Sequence, residues 1–384
     1  MWGTATAAHQ VEGGNWNNDW WAWEHAPGTT CREPSGDACD HYHRYPADLD
    51  LLAGFGFNAY RFSLEWSRIE PEDGEYSQAA LDHYRRMCDA CLARGLQPIV
   101  TFHHFTTPRW VAARGGWTAS ETAELFARFC ARAAARLGDV VARVCTLNEP
   151  NIVADIGYRW GVFPPGRRDP ALRLRANEVL IDAHRRSVAA IRSEAGRAPI
   201  GLTLAMQDYQ AVDGGEALRD RERHDMEDVF LAATHADDFV GVQTYTRVRF
   251  GPDGPRQPSA GMRVTQMGWE FYPEALEACI RRAHALTPVP LMVTENGVAV
   301  DDDRERIEYV GRALAGVRAC LTDGIPVQGY VYWSLLDNFE WAFGYAPRFG
   351  LVAVDRATQA RTPRASAHWL GSVARANALP IETS

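Results

Sequence analysis

Two apolar, β-rich runs of the chain each end in a glutamate followed by a chain breaker. Val144, Cys145, Thr146 and Leu147 lead into Asn148, Glu149 and Pro150, and Leu291, Met292, Val293 and Thr294 lead into Glu295, Asn296 and Gly297. A single glutamate at a strand end is ordinarily a cap or half of an ion pair. Two of them, carried by different strands into one cleft, are the equipment for cutting a glycosidic bond. One carboxyl protonates the leaving oxygen while the other meets the positive charge at the anomeric carbon. A carboxyl separation of about 5 Å would imply retention through a covalent glycosyl-enzyme.

Such a pair needs a scaffold that gathers strand ends. Candidate strands run over Trp2 to Ala5, Ala59 to Leu64, Pro98 to Phe102, Val144 to Leu147, Ile200 to Leu204, Phe239 to Gln243, Leu291 to Thr294 and Gln328 to Trp333. Between them lie amphipathic runs long enough for crossover helices: Leu81 to Arg94, Thr122 to Leu137, Ala176 to Arg192, Ala275 to Ala285 and Arg304 to Leu321. Strands alternating with helices pair in parallel. Eight such units close into a single (β/α)8 TIM barrel with long βα loops, and no Gly-rich phosphate turn follows the first strand to suggest a doubly wound sheet. No linker divides the chain, so residues 1–384 are expected to form one catalytic domain. On a barrel, side chains at the C-terminal strand ends face the active site, which is where both glutamates fall.

The bulk composition narrows the chemistry. The 384 residues carry a formal charge of -9, from 49 acidic against 40 basic side chains, with no basic run, so neither nucleic acid nor an anionic membrane is an expected partner. Every basic residue apart from histidine is arginine, which removes Schiff-base, pyridoxal and P-loop chemistry. No stretch approaches the roughly 20 apolar residues of a membrane span and no secretory signal opens the chain, so a soluble cytoplasmic protein is expected. Cys88 and Cys91 form a lone C-x-x-C inside a helical run and are expected to be reduced, buried thiols. His41, His43, His103 and His104 show no carboxylate or cysteine partner at metal-ligand spacing; neither a metal nor another cofactor is expected.

Six segments in order resemble glycoside hydrolase family 1. They are G-T-A-T-A-A-H-Q-V-E-G from Gly3, Y-R-F-S-L-E-W-S-R from Tyr60, T-L-N-E-P from Thr146, M-G-W-E-F-Y-P from Met267, V-T-E-N-G from Val293, and Y-V-Y-W-S-L-L-D-N-F-E-W from Tyr330. The match runs essentially end to end, and so many ordered motifs carry far more weight than T-L-N-E-P alone. The resemblance implies a retaining exo-β-glycosidase acting on a small β-glycoside or oligosaccharide, most simply a β-glucosidase. It makes Glu149 the general acid/base and Glu295 the nucleophile, with Arg61 and Tyr245 beside the nucleophile and Asn148 at the sugar 2-hydroxyl.

By the same resemblance Gln10 and Glu340 take the distal hydroxyls of the glycone and His104 another hydroxyl. Trp333 supplies the stacking face, Trp341 an edge contact, Phe349 the closure behind the last hydroxyl, and Trp269 the wall toward the leaving group. A carboxylate at Glu340 and the lack of lysine argue against a 6-phosphoglycoside, and the carboxyl at Glu149 argues against the thioglucosidase branch. Trp16, Trp20, Trp21 and Trp23 either line the mouth or pack the first long loop; the sequence allows both. The stretch between Leu204 and Phe239 is shorter than the family's, which implies a more open entrance.

Five positions depart from the family pattern. Gln243 and Thr244 stand where Asn-Tyr is usual, Phe105 and Thr106 where Trp-Asp is usual after the glycone histidine, and Asn151 where an aromatic is expected after Asn-Glu-Pro. These bear on substrate preference. Glucose, galactose or fucose as glycone, transfer to an acceptor other than water, and a sugar-binding protein that has lost catalysis all stay open at this point, as does the oligomeric state.

Overall fold

The computed structural model describes residues 1–195 and 197–380. Its centre is a closed barrel of parallel strands: β1 (Trp2–Ala5), β2 (Ala59–Ser63), β3 (Gln97–His103), β4 (Arg143–Asn148), β5 (Ile200–Ala205), β6 (Phe239–Gln243), β7 (Leu291–Glu295) and β8 (Val327–Trp333). Each strand pairs with its neighbours in sequence, and β8 pairs with β1 to close the ring. The (β/α)8 expectation holds, with every barrel strand where the apolar runs placed it.

Crossover helices span Gln78–Leu92, Glu121–Leu137, Pro170–Ala195, Ala275–Leu286 and Asp303–Thr322. Glu121–Leu137 shows why such a run is helical. Glu121 and Glu124 in its first turn complement the helix dipole, and Phe126, Phe129, Cys130, Ala133 and Leu137 form one buried face. Two further helices, His41–Phe55 and Ala365–Ala376, escape periodicity; the first carries Pro46 and a polar, aromatic opening that blurs its apolar stripe. Also unforeseen are a small sheet of Asp208–Ala211, Arg247–Gly251 and Gly254–Arg256, and a hairpin of Val352–Val354 with Arg361–Pro363.

Strand alternation builds two cores. Tyr60, Phe62, Val100, Val144 and Val240 face the helices, while Ala5, Ala59, Ile99, Cys145, Phe239 and Met292 fill the barrel interior. The small interior residues leave room for Arg61, which is fully inside the ring at 1% exposure. At Gly241 a Cβ would lie 2.5 Å from Thr294 Oγ1 and 2.6 Å from Thr203 Cγ2, so glycine is what lets β6 sit between those side chains.

The register sets Gln243 opposite Glu295 and Asn148 opposite Thr203. Both of these pairings lie just past a register shift, between Val293 and Glu295 on β7 and between Cys145 and Asn148 on β4. Such irregularities bend a strand and re-aim its side chains. Cys88 and Cys91 are buried on the helix Gln78–Leu92 as free thiols, and burial pushes Cys91 up to about 12. Among the described residues no helix is long and apolar enough to cross a membrane.

Candidate active site

A cavity of about 390 Å³ opens at the C-terminal strand ends, within the range of roughly 300–1,000 Å³ typical of small-molecule sites. Three carboxyls, Glu149, Glu295 and Glu340, line it. Glu295 ends β7 and is held at both oxygens. Arg61 Nη1 donates to Oε1 at 2.5 Å and the Tyr245 hydroxyl donates to Oε2 at 2.6 Å. The ion pair is buried on both sides, with side-chain exposures of 1% and 5%, so water screens it little. Burial works against the Arg61 charge, but Glu295 outweighs it and the guanidinium is held above its ordinary range. Burial, then Glu295, pushes the Tyr245 phenol well above its own, which keeps it a donor.

Glu149 has the opposite surroundings. It follows β4 with a left-handed backbone, φ 45°, and its carbonyl accepts from the Ile152 and Val153 amides to start the helix Pro150–Ala154. That conformation costs a non-glycine residue on the order of 1–2 kcal/mol and persists because the chain is pinned on both sides, the Glu149 amide donating to Thr203 O at 2.8 Å. Among the described residues no cation bonds its carboxyl; the Gln243 amide reaches Oε1 at 3.2 Å. Burial, then the charge of Glu295, raises Glu149 well above the usual carboxyl range, so it holds a proton in the conditions where an ordinary glutamate has lost one.

Asn148 lies beneath the two glutamates. Its Oδ1 accepts from Arg61 Nη2 at 2.5 Å, and its Nδ2 stands 3.1 Å from His104 Nε2. Burial pushes His104 well below the ordinary histidine value, so the ring is neutral and accepts at Nε2. Trp333 and Trp341 stack against this imidazole with centroids at 5.7 and 6.1 Å. Phe349 meets the Tyr245 ring edge-on at 5.8 Å, and Trp269 tilts against the same ring at 5.7 Å. Gln10 is fully buried at the far end, donating to Phe339 O at 2.8 Å and toward Glu340 Oε2 at 3.4 Å. Burial, then Glu295, lifts Glu340 to about 8, against the pull of Gln10 and Trp333. The charge that the sequence reading gives Glu340 is therefore largely masked near neutral pH.

All twelve residues singled out in the sequence meet here. His104, Glu149, Tyr245, Trp269, Glu295, Trp333, Glu340, Trp341 and Phe349 line the cavity, while Arg61, Asn148 and Gln10 brace it through direct hydrogen bonds. The family model for glycosyl hydrolase family 1 matches residues 1–247 and 252–379. The chain belongs to glycosyl hydrolase family 1. Beta-glucosidase A of Thermotoga maritima is 34% identical over 99% of this chain and 97% of its own length. A bifunctional beta-D-glucosidase/beta-D-fucosidase of Bifidobacterium breve is 36% identical over 96% of each chain. The crystal structure of beta-glycosidase BGL167 superposes with a TM-score of 0.94 and 48% identity, covering 100% of this chain and 98% of its own. The protein is an O-glycosyl hydrolase.

The structure also shows what this family 1 hydrolase has beyond the motifs. One stretch of its cavity lining is apolar, Ile152, Ile156, Val162 and Phe163 from the segment after β4, and Met206 and Met267 add apolar lining from other loops. Ile152 and Ile156 were readable in part, being four residues apart immediately after Asn-Glu-Pro, on one helical face. Phe105, with φ 70°, packs on Trp341 at 5.0 Å and Phe163 at 5.7 Å and so joins that lining. Asn151 turns away, donating to Ala205 O at 2.8 Å, and Thr244 is buried.

None of the four early tryptophans lines this cavity. Trp20 is buried behind Trp341 at 4.6 Å, Trp23 lies against Gly166, and Trp16 is 62% exposed on a separate groove. The histidine reading needs one correction. His41 does have a carboxylate partner, Asp48 at 2.7 Å two helical turns on, and His43 has Asp40 at 2.7 Å. Each is a single pair, and His41 is further committed to the Tyr60 hydroxyl at 3.0 Å.

Proposed function

We propose that this hydrolase is a retaining, exo-acting β-glucosidase in which Glu295 is the nucleophile and Glu149 the general acid/base, the whole chain serving as one catalytic unit. The observation that supports this most is the contrast between the two carboxyls. Glu295 accepts from a guanidinium and a phenol, whereas Glu149 is desolvated, without a cationic partner and pushed toward its protonated form. Environments that separate two glutamates in this way support an ionised nucleophile at Glu295 and a protonated acid at Glu149.

In the first step Glu149 gives its proton to the glycosidic oxygen and a Glu295 oxygen attacks the anomeric carbon as the bond to the aglycone breaks. In the second, Glu149, now ionised, takes a proton from water, whose oxygen displaces Glu295 and returns the β-anomer. Arg61 offsets the nucleophile's charge, and the Tyr245 hydroxyl can shift its hydrogen bond as that charge is consumed. Asn148 meets the 2-hydroxyl, His104 a neighbouring hydroxyl, and Gln10 with Glu340 the distal ones. Trp333 stacks on the apolar sugar face, Trp341 contacts its edge, Phe349 closes the end, and Trp269 marks the passage to the aglycone. The apolar stretch after Glu149 suits an aryl or alkyl aglycone better than a second sugar.

Among the described residues the lining contains three carboxyls and no arginine, so a dianionic 6-phosphate would find no cation there. Release of nitrophenol from β-glucoside, β-galactoside, β-fucoside and β-glucoside 6-phosphate tests the assignment. Turnover is expected on the glucoside, with the fucoside or galactoside next and none on the phosphate. Preferred turnover of the phosphate would overturn the glycone assignment.

A further inference from the structure

Gln243, the last residue of β6, was flagged in the sequence only as a departure. In the structure it is 1% exposed and lines the cavity beside Glu149. Its orientation follows from a chain of donors that begins at Arg61. A guanidinium has donors and no acceptor, so the Asn148 atom 2.5 Å from Arg61 Nη2 is the carbonyl oxygen. The Gln243 atom 3.2 Å from that same oxygen must then be its nitrogen, and this nitrogen also lies 3.2 Å from Glu149 Oε1. The amide has two hydrogens and two acceptors, one for each. The Gln243 oxygen has no partner among the described residues.

We propose that Gln243 is a positioning residue that fixes which oxygen of Glu149 carries the transferable proton. With Oε1 occupied as the acceptor of a Gln243 N–H, the acid's hydrogen sits on Oε2, and the carboxyl cannot rotate to exchange the two without breaking that bond. After the proton has left, the same N–H stabilises the carboxylate that must later activate water. An asparagine on this backbone would be one methylene shorter, so glutamine is suited to span both Asn148 and Glu149. The proposal rests on the reading of Glu149 as acid/base. The other ionisable groups facing Glu149 are Glu295, Arg61, Glu340, Tyr245 and His104, and none of them bonds Gln243.

The test is kcat/KM of Gln243→Met, which keeps length and removes the N–H, on β-glucosides whose leaving groups run from 2,4-dinitrophenol to an unactivated alkyl alcohol. Misdirecting the acid should lower the alkyl glucoside about 30-fold, a fraction of what general acid catalysis supplies, and leave the dinitrophenyl glucoside within about twofold. The alkaline limb for the alkyl substrate should move to higher pH, because a bond that favours ionised Glu149 is gone. Equal losses on every leaving group with an unmoved limb would overturn the proposal. Gln243→Leu, of similar size and without any donor, should give the same dependence on leaving group and serves if Gln243→Met does not fold. Glu149→Ala, measured alongside, separates the two readings. Its own losses should grow as the leaving group worsens; equal loss throughout defeats the acid/base assignment, whereas that pattern from Gln243→Met alone defeats only the positioning role.

Discussion

Glu295→Gln is expected to lower kcat/KM on every β-glucoside by about 10⁵-fold, the scale seen when an essential nucleophile is removed. The substitution keeps the shape of the side chain. Its amide oxygen can still accept from Arg61, at the position Oε1 holds 2.5 Å from Nη1, so the fold should survive. What is lost is the negative charge that attacks the anomeric carbon, and no other carboxyl is placed to replace it. Glu149 is the proposed acid/base, and Glu340 lies next to Gln10. Steady-state kinetics with a circular dichroism melt checks both halves; a variant retaining a hundredth of the activity would remove Glu295 from the nucleophile's role.

Arg61→Met should divide its effects differently. It leaves Glu295 inside the barrel without a counter-charge, and breaking one side of a buried ion pair costs about 3–5 kcal/mol. Arg61 also anchors Asn148 through Nη2, so the Asn148 to Gln243 and His104 contacts lose their origin. Activity is expected to fall about 10³-fold, through a misplaced and poorly stabilised nucleophile rather than an absent one. Both variants break the buried pair, but glutamine keeps an acceptor for Arg61, whereas Arg61→Met also removes the bonds to Asn148 and Thr203. Glu295→Gln should therefore lose more activity and Arg61→Met more stability. Thermal melts and kcat/KM on the same two proteins decide this, and the reverse ranking would show that Arg61 does not serve Glu295 in the way the 2.5 Å pair implies.

Much of this site could be read before any coordinates. Strand interiors in a parallel barrel are apolar on both faces, so a glutamate that ends such a run and precedes proline or Asn-Gly stands out, and Glu149 and Glu295 both do. Arg61 came from the family resemblance at Y-R-F-S-L-E-W-S-R, not from the apolar pattern of its strand. The hydrogen bond from Gln243 to Glu149 was not legible, because it depends on the strand register and on the two shifts beside Asn148 and Glu295, which local patterns do not encode.

Tryptophan is large enough to serve as core or as platform, and only burial separates Trp20, at 1% exposure, from Trp16, at 62%. The His41–Asp48 pair was missed because two helical turns lie outside the short spacings used to look for ligands. The titration of Glu340 was also illegible, since it depends on burial together with the charge of Glu295 and not on residue type. Phe105, Trp341 and Glu149 share a left-handed backbone around one cavity, a strain at the functional site that no propensity anticipates.

Double displacement through Glu295 is tested most directly by following the hydrolysis of an aryl β-glucoside by proton NMR and observing which anomer of the free sugar forms first. The β-anomer is predicted, with the α-anomer growing in only later by mutarotation. An α-anomer released first would contradict a covalent glycosyl-enzyme and return Glu295 to the role of a base acting on water.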